Sequence, residues 1–142
     1  MNIEENKNVA RKFIESGNQI QGDLTKIQPF ISEFLSPDHI HHTPMGDNSL
    51  DITNQFYHMV FSAFPDLVYN INDIIAEGDK VVMSLTSVAT HKGEFQGIPP
   101  TGKHVSFNSV DIFRVVNGKI TDEWSFPDQL SLMQQLGVIP AP

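Results

Sequence analysis

The residue types in this chain point to acid/base chemistry. Cysteine is absent, which removes thiolate nucleophiles, disulfides and cysteine-ligated zinc together. No G-x-S-x-G elbow presents a nucleophilic serine. The C-terminal third instead carries three aspartates, Asp111, Asp122 and Asp128, in the runs D-I-F-R, D-E-W and P-D-Q-L. A carboxylate set among apolar groups has its proton affinity raised toward neutrality, as proton transfer at carbon requires. Upstream, the stretch HKGEFQGIPPTGKHVSF brings His91, Glu94, Lys103 and His104 among five glycines and prolines. A backbone so punctuated follows a defined path, and long ordered loops on rigid sheets often build pockets. His39, His41 and His42 cluster in HIHHTP, with His39 and His41 at the alternate spacing of one strand face. A metal site needs three or four convergent ligands; no such set is legible, and no metal is expected.

The elements that position these residues follow from periodicity. Val9, Ala10, Phe13 and Ile14 give a first helix over 2–16, and Leu24 to Leu35 a second, with Pro29 either in its first turn or kinking it. Ser49 or Asp51 caps a third, with Ile52, Phe56, Met59, Val60 and Ala63 on one face. From Leu67 the period becomes that of strands. Runs 67–77 and 80–90 flank Gly78-Asp79, and runs 104–116 and 119–126 flank Asn117-Gly118, a strong hairpin signal. Asp128 caps a last helix over 129–136, stopped by Gly137. Helices first and hairpins after, without βαβ alternation, predict an α+β fold in a single domain, 1–142.

A regular two-residue loop at Asn117-Gly118 sets Phe113 opposite Asp122 and Asp111 opposite Trp124. Phe107, Asp111, Phe113 and Val115 then share a face with Ile120, Asp122, Trp124 and Phe126, and Glu123 and Ser125 lie on the other. Carboxylates on an aromatic face are costly unless paired, hydrated or functional. Asp122 is accordingly read as a general base, or as partner to a buried polar group. Asp111 is the second half of a carboxylate pair, or a structural acceptor. Asp128 is a helix cap with a catalytic alternative. Trp124 and Phe13 line a pocket or pack the core. The opposite face, with Val110 and Ile112, suits a homodimer contact.

Composition limits the partners. Nine basic against seventeen acidic residues, a net charge of −8, do not make a nucleic-acid footprint. No apolar run spans a bilayer and no secretory core is present, so a cytoplasmic location is expected.

Three runs, THKGEFQGIPPTGKHVSF, VDIFRVVNGKI and DEWSFPDQLSLMQQLGVIP, resemble the SnoaL-like polyketide cyclases, within the broader nuclear-transport-factor-like and ketosteroid-isomerase-like fold. The resemblance extends to SPDHIHHTP and AFPDL, nearly the whole chain. It implies a cone-shaped roll, three N-terminal helices on a strongly curved, mostly antiparallel sheet with a short C-terminal helix. It also implies intramolecular aldol closure of a polyketide-like ester, a small apolar carbonyl compound, without cofactor. Pocket histidines are implied at His42 and His91, which could donate to the substrate oxygen or shuttle a proton, His91 as the nearest polar helper, and an acid/base aspartate in the C-terminal strand, matched here to Asp122. Ser125 departs from the family pattern, in which a carboxylate often follows the tryptophan. A non-catalytic binding protein using the same pocket is the alternative.

Overall fold

In the computed structural model, which describes residues 2–140, local sequence sets each element's ends. The Asn2 side chain accepts from the Glu5 amide and opens α1, Ile3–Gly17. A 3-10 turn, Leu24–Lys26, leads into α2, Ile27–Phe34, with Pro29 in its first turn, where its missing N–H costs nothing. β1, Leu35–Thr43, and β2, Gly46–Asn48, follow. Ser49 caps α3, Leu50–Ala63. β3, Val68–Glu77, and β4, Lys80–Thr90, form one hairpin; β5, His104–Val116, and β6, Lys119–Pro127, form the second. Asp128 caps α4, Gln129–Leu136, and Gly137 ends it at φ 84°, a left-handed conformation.

The architecture is α+β: helices packed on a curved, mixed sheet of order β2-β1-β6-β5-β4-β3. The sheet is mostly antiparallel, as expected: only β1 and β6 run parallel, and the β1–β2 pair, which holds the HIHHTP run, separates the second helix from the third. The buried residues of α3 are Thr53, Tyr57, Phe61 and Ala63; of the face expected, Ala63 is buried, Phe56, Met59 and Val60 pack partly buried against the core, and Ile52 is exposed. Among the described residues no helix is long and apolar enough to cross a membrane.

Phe13 anchors the helix–sheet interface. Its ring stacks on Phe30 at 4.5 Å and meets Phe34, Tyr57 and Phe113 edge-on. Each such ring, fully buried, contributes about 1.5–3 kcal/mol.

The second hairpin begins in the expected register, Val116 facing Lys119 and Val115 facing Ile120. Thr121 then stands as an extra residue, and Arg114 faces Asp122. This β-bulge turns the rest of β6 over. Asp122, Trp124 and Phe126 lie on the outer face, and Glu123 and Ser125 share the inner face with Asp111 and Phe113, the reverse of the uninterrupted ladder. The Thr121 hydroxyl steadies the bulge, donating to Asp122 Oδ1 at 2.7 Å, with the Arg114 carbonyl oxygen 3.4 Å away.

The loop from His91 to Lys103 is closed by its own bonds. The His91 amide donates to the Lys103 carbonyl, and Phe95 and Ile98 exchange two bonds around Gln96-Gly97, both at positive φ. The Lys92 and Gly93 amides donate to the Ala63 carbonyl at the end of α3. A Cβ on Gly93 would overlap the Ser62 carbonyl oxygen, so only glycine lets the loop dock there. Gly93→Ala is expected to cost about 1–3 kcal/mol, read as a lowered urea midpoint with unchanged slope. An unaltered midpoint would show that this contact does not hold the loop.

Candidate active site

The bulge and the loop together build a cavity against the inner face of the sheet. Its volume is about 120 Å³. Aromatic and aliphatic groups from α3, the loop and α4 wall it, Phe56, Phe64, Phe95 and Leu132 among them. Its polar side comes from the sheet: Asp111, Ser87, Ser109 and Ser125, with Tyr57 of α3 and Tyr69 of β3.

Asp111 is the titratable group at the centre. It faces Ser125 across the β5–β6 ladder and Met83 on β4. Asp111 is half-buried, and protein surrounds its carboxyl. Burial, and then the charge of Glu123, push its pKa up from 3.8 to about 7, while the Ser125 hydroxyl pulls it back slightly.

Glu123 lies one rung deeper, a diagonal neighbour across the ladder at roughly 7–8 Å. It is fully buried, 1% exposed, yet held. The Tyr57 hydroxyl donates to Oε2 at 2.9 Å. His39 Nε2 sits 3.0 Å from Oε1, near enough to pair electrostatically though off the hydrogen-bond direction. Burial pushes the Glu123 carboxyl up, but His39, His41 and Tyr57 outweigh it and the net shift is down. Two inner-face carboxyls thus have environments that part their proton affinities, Glu123 ionised and Asp111 poised near neutrality. Burial and the Glu123 charge push the Tyr57 hydroxyl well up, and burial does the same for Tyr69. Both stay protonated.

The structure scatters the other residues marked in the sequence. Asp122 is on the outer face, its Oδ2 2.8 Å from His42 Nε2. Burial raises its pKa, but the bonds from His42 and Thr121 with the Arg114 charge bring it below the ordinary value, opposite to expectation. His42 is outside too, bridging Asp122 and, through Nδ1 at 2.9 Å, Asp47. The Asp122 bond chiefly raises its pKa. Trp124 stacks on His42 at 4.6 Å with the Lys80 ammonium over its ring. None of these three lines the cavity. His91 is wholly buried within the loop, its Nδ1 accepting from the Thr101 amide, and packs on Phe64. Phe13 and Phe113 are core, and Asp128 is an exposed cap accepting from the Ser131 amide. Of the eight residues marked, Asp111 alone lines the cavity. Tyr57, Tyr69, Glu123 and Ser125 were missed as site residues. Tyr57 was readable as the middle of the i, i+4, i+8 series Thr53, Tyr57, Phe61; no local signal marks the bulge that brings in Glu123 and Ser125.

A curved sheet wrapped on helices, with an apolar cavity that the Asp111 carboxyl lines, is the architecture of the nuclear-transport-factor-like fold. Residues 21–136 match the family model described as SnoaL-like polyketide cyclase, and the chain belongs to that family. Aklanonic acid methyl ester cyclase DnrD of Streptomyces peucetius is 28% identical over 91% of this chain and 88% of its own. Nogalonic acid methyl ester cyclase of Streptomyces nogalater is 37% identical over 42% of this chain and 45% of its own. Among solved structures, AclR of Streptomyces galilaeus, for which a hydroxylase activity has been suggested, superposes with a TM-score of 0.86 at 31% identity, covering 99% of this chain and 86% of that one. A SnoaL-like polyketide cyclase of Agrobacterium tumefaciens, 20% identical, shares the fold with a TM-score of 0.72, covering 96% of this chain and 100% of that one.

The raised Asp111 pKa has a stability consequence. A carboxyl whose folded value lies above its unfolded one contributes stability fully present below about pH 4, and this is lost as pH rises through about 7. Asp111→Asn cannot ionise and escapes that loss. Its stability relative to wild type is expected to grow by roughly 2–4 kcal/mol between about pH 4 and pH 8 in urea titrations. A difference independent of pH would place the Asp111 carboxyl at an ordinary value.

Proposed function

We propose that the protein is a cyclase acting by proton transfer alone on an apolar carbonyl ester, with Asp111 as general acid/base. The observation that carries this is the poised Asp111 carboxyl facing an apolar cavity beside an ionised Glu123. As carboxylate, Asp111 removes a proton from carbon alpha to a carbonyl. The resulting enolate carbon attacks a second carbonyl of the same molecule, forming one carbon–carbon bond. The alkoxide so generated takes the proton back from Asp111, and the hydroxyls of Ser87, Ser109 and Ser125 are the donors at hand for the developing charge. The product is an isomer of the substrate, and the chemistry calls for no cofactor. Family membership and the methyl ester cyclases among the relatives support a polyketide-type ester.

The test is turnover of aklanonic acid methyl ester followed by mass spectrometry. Asp111→Asn is expected to lower turnover by roughly 10²–10⁴-fold, while Asp122→Asn, altered on the outer face, stays within a few-fold of wild type. The wild-type kcat/KM should rise through about pH 7 as Asp111 ionises. Equal activity in Asp111→Asn would move the acid/base role elsewhere. The likeness to AclR favours a second reading, hydroxylation, which the same measurement separates: cyclisation leaves the mass unchanged and hydroxylation adds one oxygen.

We also propose a homodimer through the outer face. Ile75, Val82, Ile112 and Trp124 lie in one cross-strand row, with Val110 and Phe126 exposed in the next. Arg114 and Lys80 flank the row near Asp79 and Asp122, charges of both signs that a two-fold axis can pair. Light scattering at micromolar concentration should give twice the chain mass, and Ile112→Lys should halve it. A monomeric wild-type protein would sink this assignment.

A further inference from the structure

The proposed chemistry uses only the charge of Glu123 and leaves the roles of His39 and Tyr57, its two partners, open. Glu123 and His39 are each 1% exposed, and Tyr57 is 7% exposed where it lines the cavity. Burial on this scale is costly and fixes hydrogen-bond direction. A carboxylate only accepts, so Tyr57 must donate its one hydroxyl proton to Glu123 Oε2 at 2.9 Å. His39 Nε2 lies 3.0 Å from the other Glu123 oxygen, an electrostatic contact that favours this orientation of the carboxylate. On a residue that lines the cavity, the phenolic oxygen then has only lone pairs left to offer a ligand.

We propose that Tyr57 is a specificity-determining acceptor, oriented by Glu123 and His39 as positioning residues, that selects ligands presenting a neutral hydroxyl, phenolic or enolic, at the base of the cavity. This deepens the reading of the site as a cyclase and rests on it for the role of Asp111. An acceptor repels developing negative charge, so the carbonyl that becomes an enolate must lie away from Tyr57. A hydroxyl on the substrate placed at Tyr57 thereby fixes which C–H meets Asp111. A ligand with a methoxy group or bare ring there leaves the acceptor unpaired or in repulsion, and is rejected by about tenfold.

The probes are 2-naphthol, 2-methoxynaphthalene and naphthalene, titrated at neutral pH and followed by the NMR shifts of Ser109 and Ser125, which line the cavity. Binding is read without turnover, so it stands or falls apart from the cyclase assignment. Wild type is expected to bind 2-naphthol about tenfold more tightly than 2-methoxynaphthalene. Tyr57→Phe should bring that ratio to about one. Glu123→Gln, nearly isosteric, should do the same or invert it. The Gln amide then donates to Tyr57 from the side Oε2 held, its oxygen stays on the His39 side, and the Tyr57 proton turns away from residue 123. Thermal unfolding of both variants establishes that they are folded, and His39→Gln, expected to loosen the ratio to an intermediate value, provides a second route if either is not. No saturable 2-naphthol binding, a wild-type ratio near one, or a ratio that survives Tyr57→Phe but collapses in Asp111→Asn would each overturn the proposal.

Discussion

A full negative charge inside the protein, at Glu123, is the constraint on which the rest of the site depends. Removing a carboxylate from water costs several kcal/mol even after relaxation, and is tolerated only with good partners. His39 and Tyr57 supply them, from β1 and α3, so the charge ties two elements far apart in sequence to β6. His41, its pKa lowered chiefly by burial, packs its ring against Phe56 beside them. One rung along the ladder, burial first and then the same charge hinder a second ionisation and raise the Asp111 pKa.

The outer face follows the opposite logic. There, charges remain in contact with water and pair in a string, Asp47 with His42, His42 with Asp122, and Asp79 with Arg114. Exposed pairs of this kind contribute little each, commonly under about 1 kcal/mol. Their effect is positional. The two carboxylates on His42 hold its imidazole flat against Trp124 and join β1 and β2 to β6.

The cavity walls are fastened at their far ends. Asp66 receives the amide and hydroxyl of Thr90, closing the end of β4. Gln135 of α4 pairs with both backbone groups of Ser106, finishing an edge of β5 that β6 does not reach. Lys103 reaches the Leu136 carbonyl. The GEFQGIPPTGK run therefore works as a wall, contributing Phe95 and Gln96 to the cavity while His91 holds the loop together from inside.

Local chemistry made much of this legible from residues alone. Caps at Ser49 and Asp128, the Gly78-Asp79 and Asn117-Gly118 turns and period-two runs depend on neighbours within a few positions, and the four long strands fall where those signals put them. Asp111 was assigned correctly to the inner face because alternation along one strand is also local. The partners of β6 were not legible. One extra residue at Thr121 reverses every later side chain, and nothing near Thr121 distinguishes a bulge from a regular rung, since its stability is decided by what each face then meets. Burying Glu123 is acceptable only because His39 and Tyr57 arrive from elsewhere, and turning Asp122 outward is favourable because His42 and Arg114 wait there. The sequence by itself determined the elements, the hairpins and the inventory of acids. Tertiary structure alone decided which acid of β6 turns inward, because that choice is an energy difference between two sets of distant contacts.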